Sequence, residues 1–363
     1  MMAACRALVL IVLCGLCLAF DSTIDRTAPI VHQAYVDALL ENEAALTSGP
    51  AAPSGRTGVA GRSPDIFADD PVRLLQLPAS GHILILLRNA SRIVLCDRTL
   101  KVLASAAAPR GAVAIGLIEK DVVIVGGELS GTVQPYQITD NRIRALPPID
   151  LPGVVAVRDL VVVPETGCLF LLDDFSGNLV QVRLPSFGDA PQALPVETRL
   201  FPIGVGGLGI DSVRDHLVVN LMLDHTILVI PIVGGVPEVG QASRIVNAGP
   251  FWSMDVALSG QTLVIAAGGV ENHPLSRQMG EFGYIDSFLY LFRLPKDQHG
   301  RFQWRAGDRK HRRRYRAVNL SSHGILTPKA VHFTASDLLS QRLWVTGYGG
   351  ERAAEFSIGA DGV

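Results

Sequence analysis

The chain has 363 residues, a formal net charge of −2 and a composition that is 48% hydrophobic. So even a balance of charge gives no ground for expecting a strongly acidic or strongly basic partner. Beyond the N-terminus no apolar run reaches transmembrane length without polar interruption.

The N-terminal stretch predicts export. Met1 to Arg6 is short and positively charged, and Ala7 to Leu18 is almost purely apolar. Cys17-Leu18-Ala19 then supplies acceptable residues for cleavage, so residues 1–19 form a signal peptide and the mature chain starts near Phe20 or Asp21. The destination is the periplasm or the extracellular space. Cys14 and Cys17 lie in the apolar run, but Cys14-Gly15-Leu16 fits a lipid-attachment pattern badly. Three of the five cysteines leave with the signal, and Cys96 and Cys168 remain. On non-adjacent blades of a propeller, the fold that the repeats imply, they stay farther apart than the roughly 7 Å Cα limit for a bridge, so two buried thiols are expected.

Residues 20–64 differ in kind from the rest of the chain. Ile30, Val31, Ala34, Tyr35, Ala38 and Leu39 fall at helical spacing, which predicts a short amphipathic helix. Thr47 to Pro64 is Gly, Pro, Ser and Ala with scattered Arg, and reads as a flexible linker. Residues 65–363 form the globular part.

Within that part, a short apolar strand runs six times into a small polar turn and then into a second apolar strand. The turns are Arg88–Arg92, Glu128–Thr132, Asp174–Asn178, Leu223–Thr226, a much longer segment from Gly269 to Asp286, and Gly350–Arg352. The repeats recur at intervals of roughly 40 to 66 residues and contain only strand signals, the signature of a β-propeller. In the third repeat the strand candidates are Val154–Val163, Cys168–Leu172, Asn178–Leu184 and Val196–Leu200. The sixth repeat ends without a clear fourth strand. Asp65 to Leu77 is the expected donor, closing the ring and removing a free sheet edge. The expectation is therefore an all-β, single-domain propeller of four-stranded blades. Six blades match the hairpin count, and a seventh would have to hide in the two longest intervals.

The hairpin Asp174-Phe175-Ser176-Gly177-Asn178-Leu179-Val180-Gln181-Val182 resembles those of secreted bacterial propellers of the YncE and NHL kinds, within the lactonase-like (YVTN) superfamily. There, an Asp-x-x-Gly-Asn turn precedes a strand. The resemblance covers the repeat region and implies a binding or scaffold module. Relatives with similar rings are metal-dependent lactonases, and YncE-like rings often accompany periplasmic redox proteins such as cytochromes.

Several motifs bear on chemistry. Gly204-Val205-Gly206-Gly207-Leu208-Gly209 spells the dinucleotide fingerprint, but a strand pair comes after it where a helix is required, so a glycine-rich crossing between blades is expected. Asp215-His216 and Asp224-His225 look like paired ligands. At nine residues apart along one strand they sit about 30 Å from each other, at opposite rims, each as an exposed turn. The long segment from Gly269 to Asp286 reads as a loop replacing a tight turn. Glu271, His273, Arg277, Asp286, His323 and Trp252 gather acid, base and aromatic groups at its rim, the candidate ligand-binding surface. Arg305 to Arg316, with Trp304 and Tyr315 interleaved, is a basic run on the opposite rim. Export argues against nucleic acid there and leaves an anionic surface, an acidic partner or a solvated loop.

No haem-attachment motif, phosphate-binding loop, zinc helix or nucleophile elbow occurs, so no cofactor is indicated. The favoured function is an exported module that binds a ligand or protein through one channel rim. A lactonase-type hydrolase is the alternative. It would need hard ligands for a Ca²⁺-like cation, and Asp159, Asp211 and Asp255 are the inner-strand candidates. An accessory module for a periplasmic redox partner is the third reading.

Overall fold

The computed structural model describes residues 70–139, 141–184, 196–273, 284–304, 315–333, 342–348 and 353–358. Strands run antiparallel in six successive sheets, the blades of a six-bladed propeller. The first blade holds β1 (Pro71–Gln76), β2 (Ile83–Leu87), β3 (Arg92–Cys96) and β4 (Val102–Ala107). In the second are β5 (Ala112–Glu119), β6 (Val122–Gly127), β7 (Thr132–Thr139), β8 (Arg142–Ala145) and the short β9 (Ile149–Asp150). The third contains β10 (Asp159–Val163), β11 (Cys168–Asp173), β12 (Asn178–Arg183) and β13 (Thr198–Pro202). The fourth contains β14 (Gly207–Val213), β15 (His216–Leu221), β16 (Thr226–Val233), β17 (Val236–Pro237) and β18 (Ser243–Val246). Strands β19 (Phe251–Ser259), β20 (Thr262–His273), β21 (Tyr284–Pro295) and β22 (Tyr315–Asn319) make the fifth. The sixth shows β23 (Thr327–Phe333), β24 (Arg342–Tyr348) and β25 (Ala353–Ser357) among the described residues.

The innermost strands of the blades are β1, β5, β10, β14, β19 and β23, and successive members from β1 to β23 lie against each other. Among the described residues no seventh blade occupies the long intervals. They hold instead the extended β20–β21 hairpin and the connection from β21 to β22.

Second strands such as β6, β11 and β15 are buried along their whole length. Their apolar residues on both faces pack against neighbouring blades, which is why the sequence shows unbroken apolar runs there. The core is accordingly a series of seams. Ile124, Leu169 and Val180 join the second blade to the third, Phe170 and Leu217 the third to the fourth, and Phe251 and Ile227 the fourth to the fifth. Leu289 and Val331 lie in the seam between the fifth and sixth. Crossings between blades press close enough to demand glycine. A Cβ at Gly249 would stand 1.8 Å from the Val270 carbonyl oxygen.

The segment expected to complete the sixth blade does something else. Its described part, β1, pairs with β2 and opens the first blade. Val72, Leu75 and Leu77 pack into the seam with the second blade, and the Asp70 carboxylate holds Arg88 at 2.7 Å. Residues 65–69, and the expected signal, helix and linker, lie outside the described residues.

Cys96 and Cys168 are buried and unbridged, on β3 and β11. Burial, helped by the charge of Asp97, pushes the Cys96 thiol up. The glycine fingerprint is a crossing from β13 to β14, with Gly204 and Gly206 at φ of 109° and 80°, backbone that L side chains rarely adopt. A strand comes after it, as expected.

Candidate functional site

Two regions concentrate chemistry: the rim at the end of the β20–β21 hairpin, and the innermost strands.

At the rim, the long segment after Gly269 is in part strand. Pairing of β20 with β21 continues through Val270↔Ser287, Glu271↔Asp286, Asn272↔Ile285 and His273↔Tyr284. The flanking strands stop earlier, β19 at the Phe251↔Gly269 pair and β22 at Phe288↔Asn319. A two-stranded ribbon therefore projects beyond the sheet that carries it, by about 13 Å at 3.3 Å per residue. Polar residues such as Asn272 and His273 mask this extension in the sequence, which shows no apolar alternation over these positions.

The ribbon's base is fastened to the crossing that leads into the sixth blade. Ser287 receives a hydrogen bond from Leu320 N–H at 2.7 Å through its carbonyl. Its own N–H donates to Ser321 Oγ at 2.9 Å, and its hydroxyl donates to the Leu326 carbonyl. This places the turn bearing His323 beside the strand that bears Asp286. His323 is exposed and meets Phe356 edge-on at 5.5 Å. Glu271 and Asp286 oppose each other on one rung, and Tyr290 donates its phenolic hydrogen to Glu271. Trp252 lies half-buried at a bulge between Phe251 and Ser253, at the start of β19. His273 lies on β20, while Arg277 falls outside the described residues. So do 305–314 of the basic run. Trp304, at its edge, is no stacking platform: it packs on Phe292 at 5.4 Å and donates its backbone N–H to Ser243 Oγ at 2.7 Å.

On the innermost strands the three candidate carboxylates occupy consecutive blades: Asp159 on β10, Asp211 on β14 and Asp255 on β19. Two of them tie blades together. Asp159 Oδ2 accepts the Ile210 N–H of the next blade at 3.1 Å and faces Arg73 at 3.3 Å. Asp255 Oδ2 accepts the Phe333 N–H at 2.6 Å and faces His332 at 3.1 Å. Asp211 lies between them and forms no ion pair with Arg73 or His332, although its charge adds to that of Asp255 in raising His332. Burial first, then the charge of Asp255 and more weakly that of Asp159, pushes its carboxyl up to about 7. Arg73 and His332 carry no signal in the sequence; their equivalence to the acids is one of strand position, visible only once the blades are in register. No group of three or more His, Cys, Asp or Glu side chains among the described residues is arranged to hold a metal ion.

The two Asp-His pairs part company. His225 is a turn residue, as expected, but it is half-buried, with Nδ1 3.1 Å from the Ala248 carbonyl. His216 corrects the expectation, being only 2% exposed. Its ring lies 4.7 Å from Phe302, its Nδ1 is 2.8 Å from Asp215, and Nε2 accepts the Phe302 N–H at 3.5 Å. Phe302 arrives from the β21–β22 connection of the next blade, a cover that no local pattern announces.

No protein-family model matches the chain, and no curated protein matches it. Among solved structures, the chain is similar to hydrazine synthase of Kuenenia stuttgartiensis, at 13% identity and a TM-score of 0.51, over 84% of this chain and 99% of that one. A catalytically inactive virginiamycin B lyase from Staphylococcus aureus, solved with quinupristin, matches at 12% identity and a TM-score of 0.48, over 82% and 84%. The WD40 repeats of RRP9 match at 10% identity and a TM-score of 0.48, over 77% and 88%. Its six blades place the protein in the β-propeller class. At these identities the likeness is one of fold, and functions must be argued from this chain's own residues.

Proposed function

We propose that this propeller is an exported binding module whose partner docks on the rim carrying the β20–β21 ribbon. The projecting rungs from Val270↔Ser287 to His273↔Tyr284 carry this reading. They carry the β20–β21 pairing beyond the ends of β19 and β22, the kind of placement at which scaffolds present binding groups. Like charges directly opposite on a ribbon repel, so the Glu271↔Asp286 rung favours a partner that brings a Lys or Arg side chain. His323 and Trp252 flank the ribbon's base and supply an exposed imidazole and an apolar surface. Export fits the apolar N-terminus, and the absence of a membrane-length apolar helix among the described residues is compatible with it.

Site-specific photocrosslinking in the native cell envelope tests the proposal. A benzophenone side chain in place of Asp286 is expected to capture one discrete partner. The same group in place of Lys120, in the β5–β6 turn at the opposite rim, is expected to capture none. Equal capture from both rims, or retention of Met1 on the mature protein, would count against the reading.

A further inference from the structure

The rim opposite the ribbon holds a pocket of about 300 Å³ between the third and fourth blades. Val163, Glu165 and Thr166 reach it from the β10–β11 turn, Arg214 and Asp215 from the β14–β15 turn, and Ile232 and Gly235 from the end of β16 and the turn after it. Its surface is mostly apolar. Its charges are unevenly satisfied. Asp215 is occupied by His216 at 2.8 Å and Lys296 at 3.6 Å. Among the described residues, Glu165 and Arg214 are solvent-exposed and have neither an ion-pair nor a hydrogen-bond partner within the protein. Behind the wall, Gln181 is 7% exposed and bridges the two blades by donating to the Gly235 carbonyl at 2.6 Å. Its Oε1 accepts no hydrogen bond, an uncommon state for a buried polar atom.

We propose that this pocket binds a small zwitterion with an apolar tail, of the chemical class of a free α-amino acid with an apolar side chain. The charge arrangement selects the class. An anion alone would meet Arg214 but be repelled by Glu165, and a cation alone would suffer the reverse. A dipolar head satisfies both at once, its carboxylate toward Arg214 and its ammonium toward Glu165. The apolar walls then take the tail. A volume near 300 Å³ is at the small end of ligand sites and suits a single side chain of leucine to tryptophan size. The site is independent of the ribbon and of any partner docked there.

Calorimetric titration of the folded full chain with leucine, phenylalanine and tryptophan tests this, with phenylalaninamide and N-acetylphenylalanine as probes lacking one charge each. Saturable binding of at least one amino acid is expected, with affinity for both blocked phenylalanine derivatives reduced roughly tenfold or more. Glu165→Gln and Arg214→Asn should each weaken binding to a similar degree, asparagine being chosen because it tolerates the positive φ of 50° at that position. No binding at millimolar amino acid would overturn the proposal, as would equal affinity for N-acetylphenylalanine and phenylalanine. Should either variant fail to fold, the blocked derivatives decide the matter on the native chain.

Discussion

The carboxylate of Asp255 accepts the backbone N–H of Phe333 at 2.6 Å, joining the innermost strand of the fifth blade to that of the sixth. Asp159 makes the corresponding bond to Ile210 between the third and fourth blades. Both acids thus act as rivets between strands that share no ladder of their own. Charge-assisted bonds of this kind are worth more than neutral ones because the acceptor carries the whole charge.

Asp255→Ala should therefore destabilise the protein by about 2–3 kcal/mol, the usual cost of removing a hydrogen bond to a charged group in a site shielded from water. Asp255→Asn should cost less, since an amide oxygen still accepts one N–H and the repulsion on Asp211 disappears. Urea unfolding of both variants measures the difference. An Asp255→Ala protein as stable as the parent would show that Phe333 N–H is satisfied by water and that the rivet is incidental.

Asp211 should behave in the opposite sense. Its carboxyl is pushed up to about 7 by burial and by the neighbouring acids, while the unfolded chain ionises it at its ordinary value of 3.8. The folded protein therefore holds a proton that the unfolded chain releases. The stability this gives is fully present below pH 4 and is lost as pH rises through 7. Asp211→Asn fixes the neutral form, so it should stabilise the protein at pH 8 by on the order of 1–2 kcal/mol and change little at pH 4. Thermal melts across that range provide the check. Equal destabilisation at both ends would mean that the side chain serves packing and not charge.

His216 supplies a limb of the opposite slope. Burial holds its imidazole below the usual value, against the upward pull of Asp215. A base with a lowered folded value contributes stability that is present above its unfolded value near 6.5 and is lost as pH falls. His216→Ala removes a buried ring packed on Phe302 and should cost about 2–4 kcal/mol at pH 8. The deficit should shrink at pH 5, where the parent itself gives up stability. A deficit that grows on acidification would contradict the assignment of a neutral buried histidine.

The fate of these residues shows which parts of the molecule are readable from sequence. Blades are legible because each strand pair is apolar on both faces and each turn, such as Asp174–Asn178, is built from residues that favour tight reversals. The three inner-strand acids are legible as a set, since each is the one acidic residue of a largely apolar strand. Their division into two rivets and one proton-holding acid is not, because it depends on which N–H of the next blade each one reaches. His216 misleads for a related reason. Its neighbours in sequence form a polar turn, and its burial comes from Phe302, eighty-six positions away. The β20–β21 ribbon reads as a loop because Glu271, Asn272 and His273 show no apolar alternation.

The ribbon offers the sharpest separation of function from stability. Asp286 lies on its second projecting rung, opposite Glu271, and His273 lies at the last pair before the connecting residues. Asp286 belongs to no seam of the core among the described residues. Replacing both with alanine should leave the melting temperature nearly unchanged, since substitutions away from packed features usually stay within about ±0.5 kcal/mol. Removing one of two opposed carboxylates should, if anything, relieve repulsion across the rung. Binding of the partner captured at the rim should nevertheless be lost, by a slower association where charge steers the encounter and a faster dissociation where contact is made. Neutralising Arg312, Arg313 and Arg314, which the sequence expects on the other rim, should leave that affinity intact. A double variant that unfolds would instead mark the ribbon as a structural brace. One that folds and still binds would move the docking surface away from Asp286 and His273 altogether.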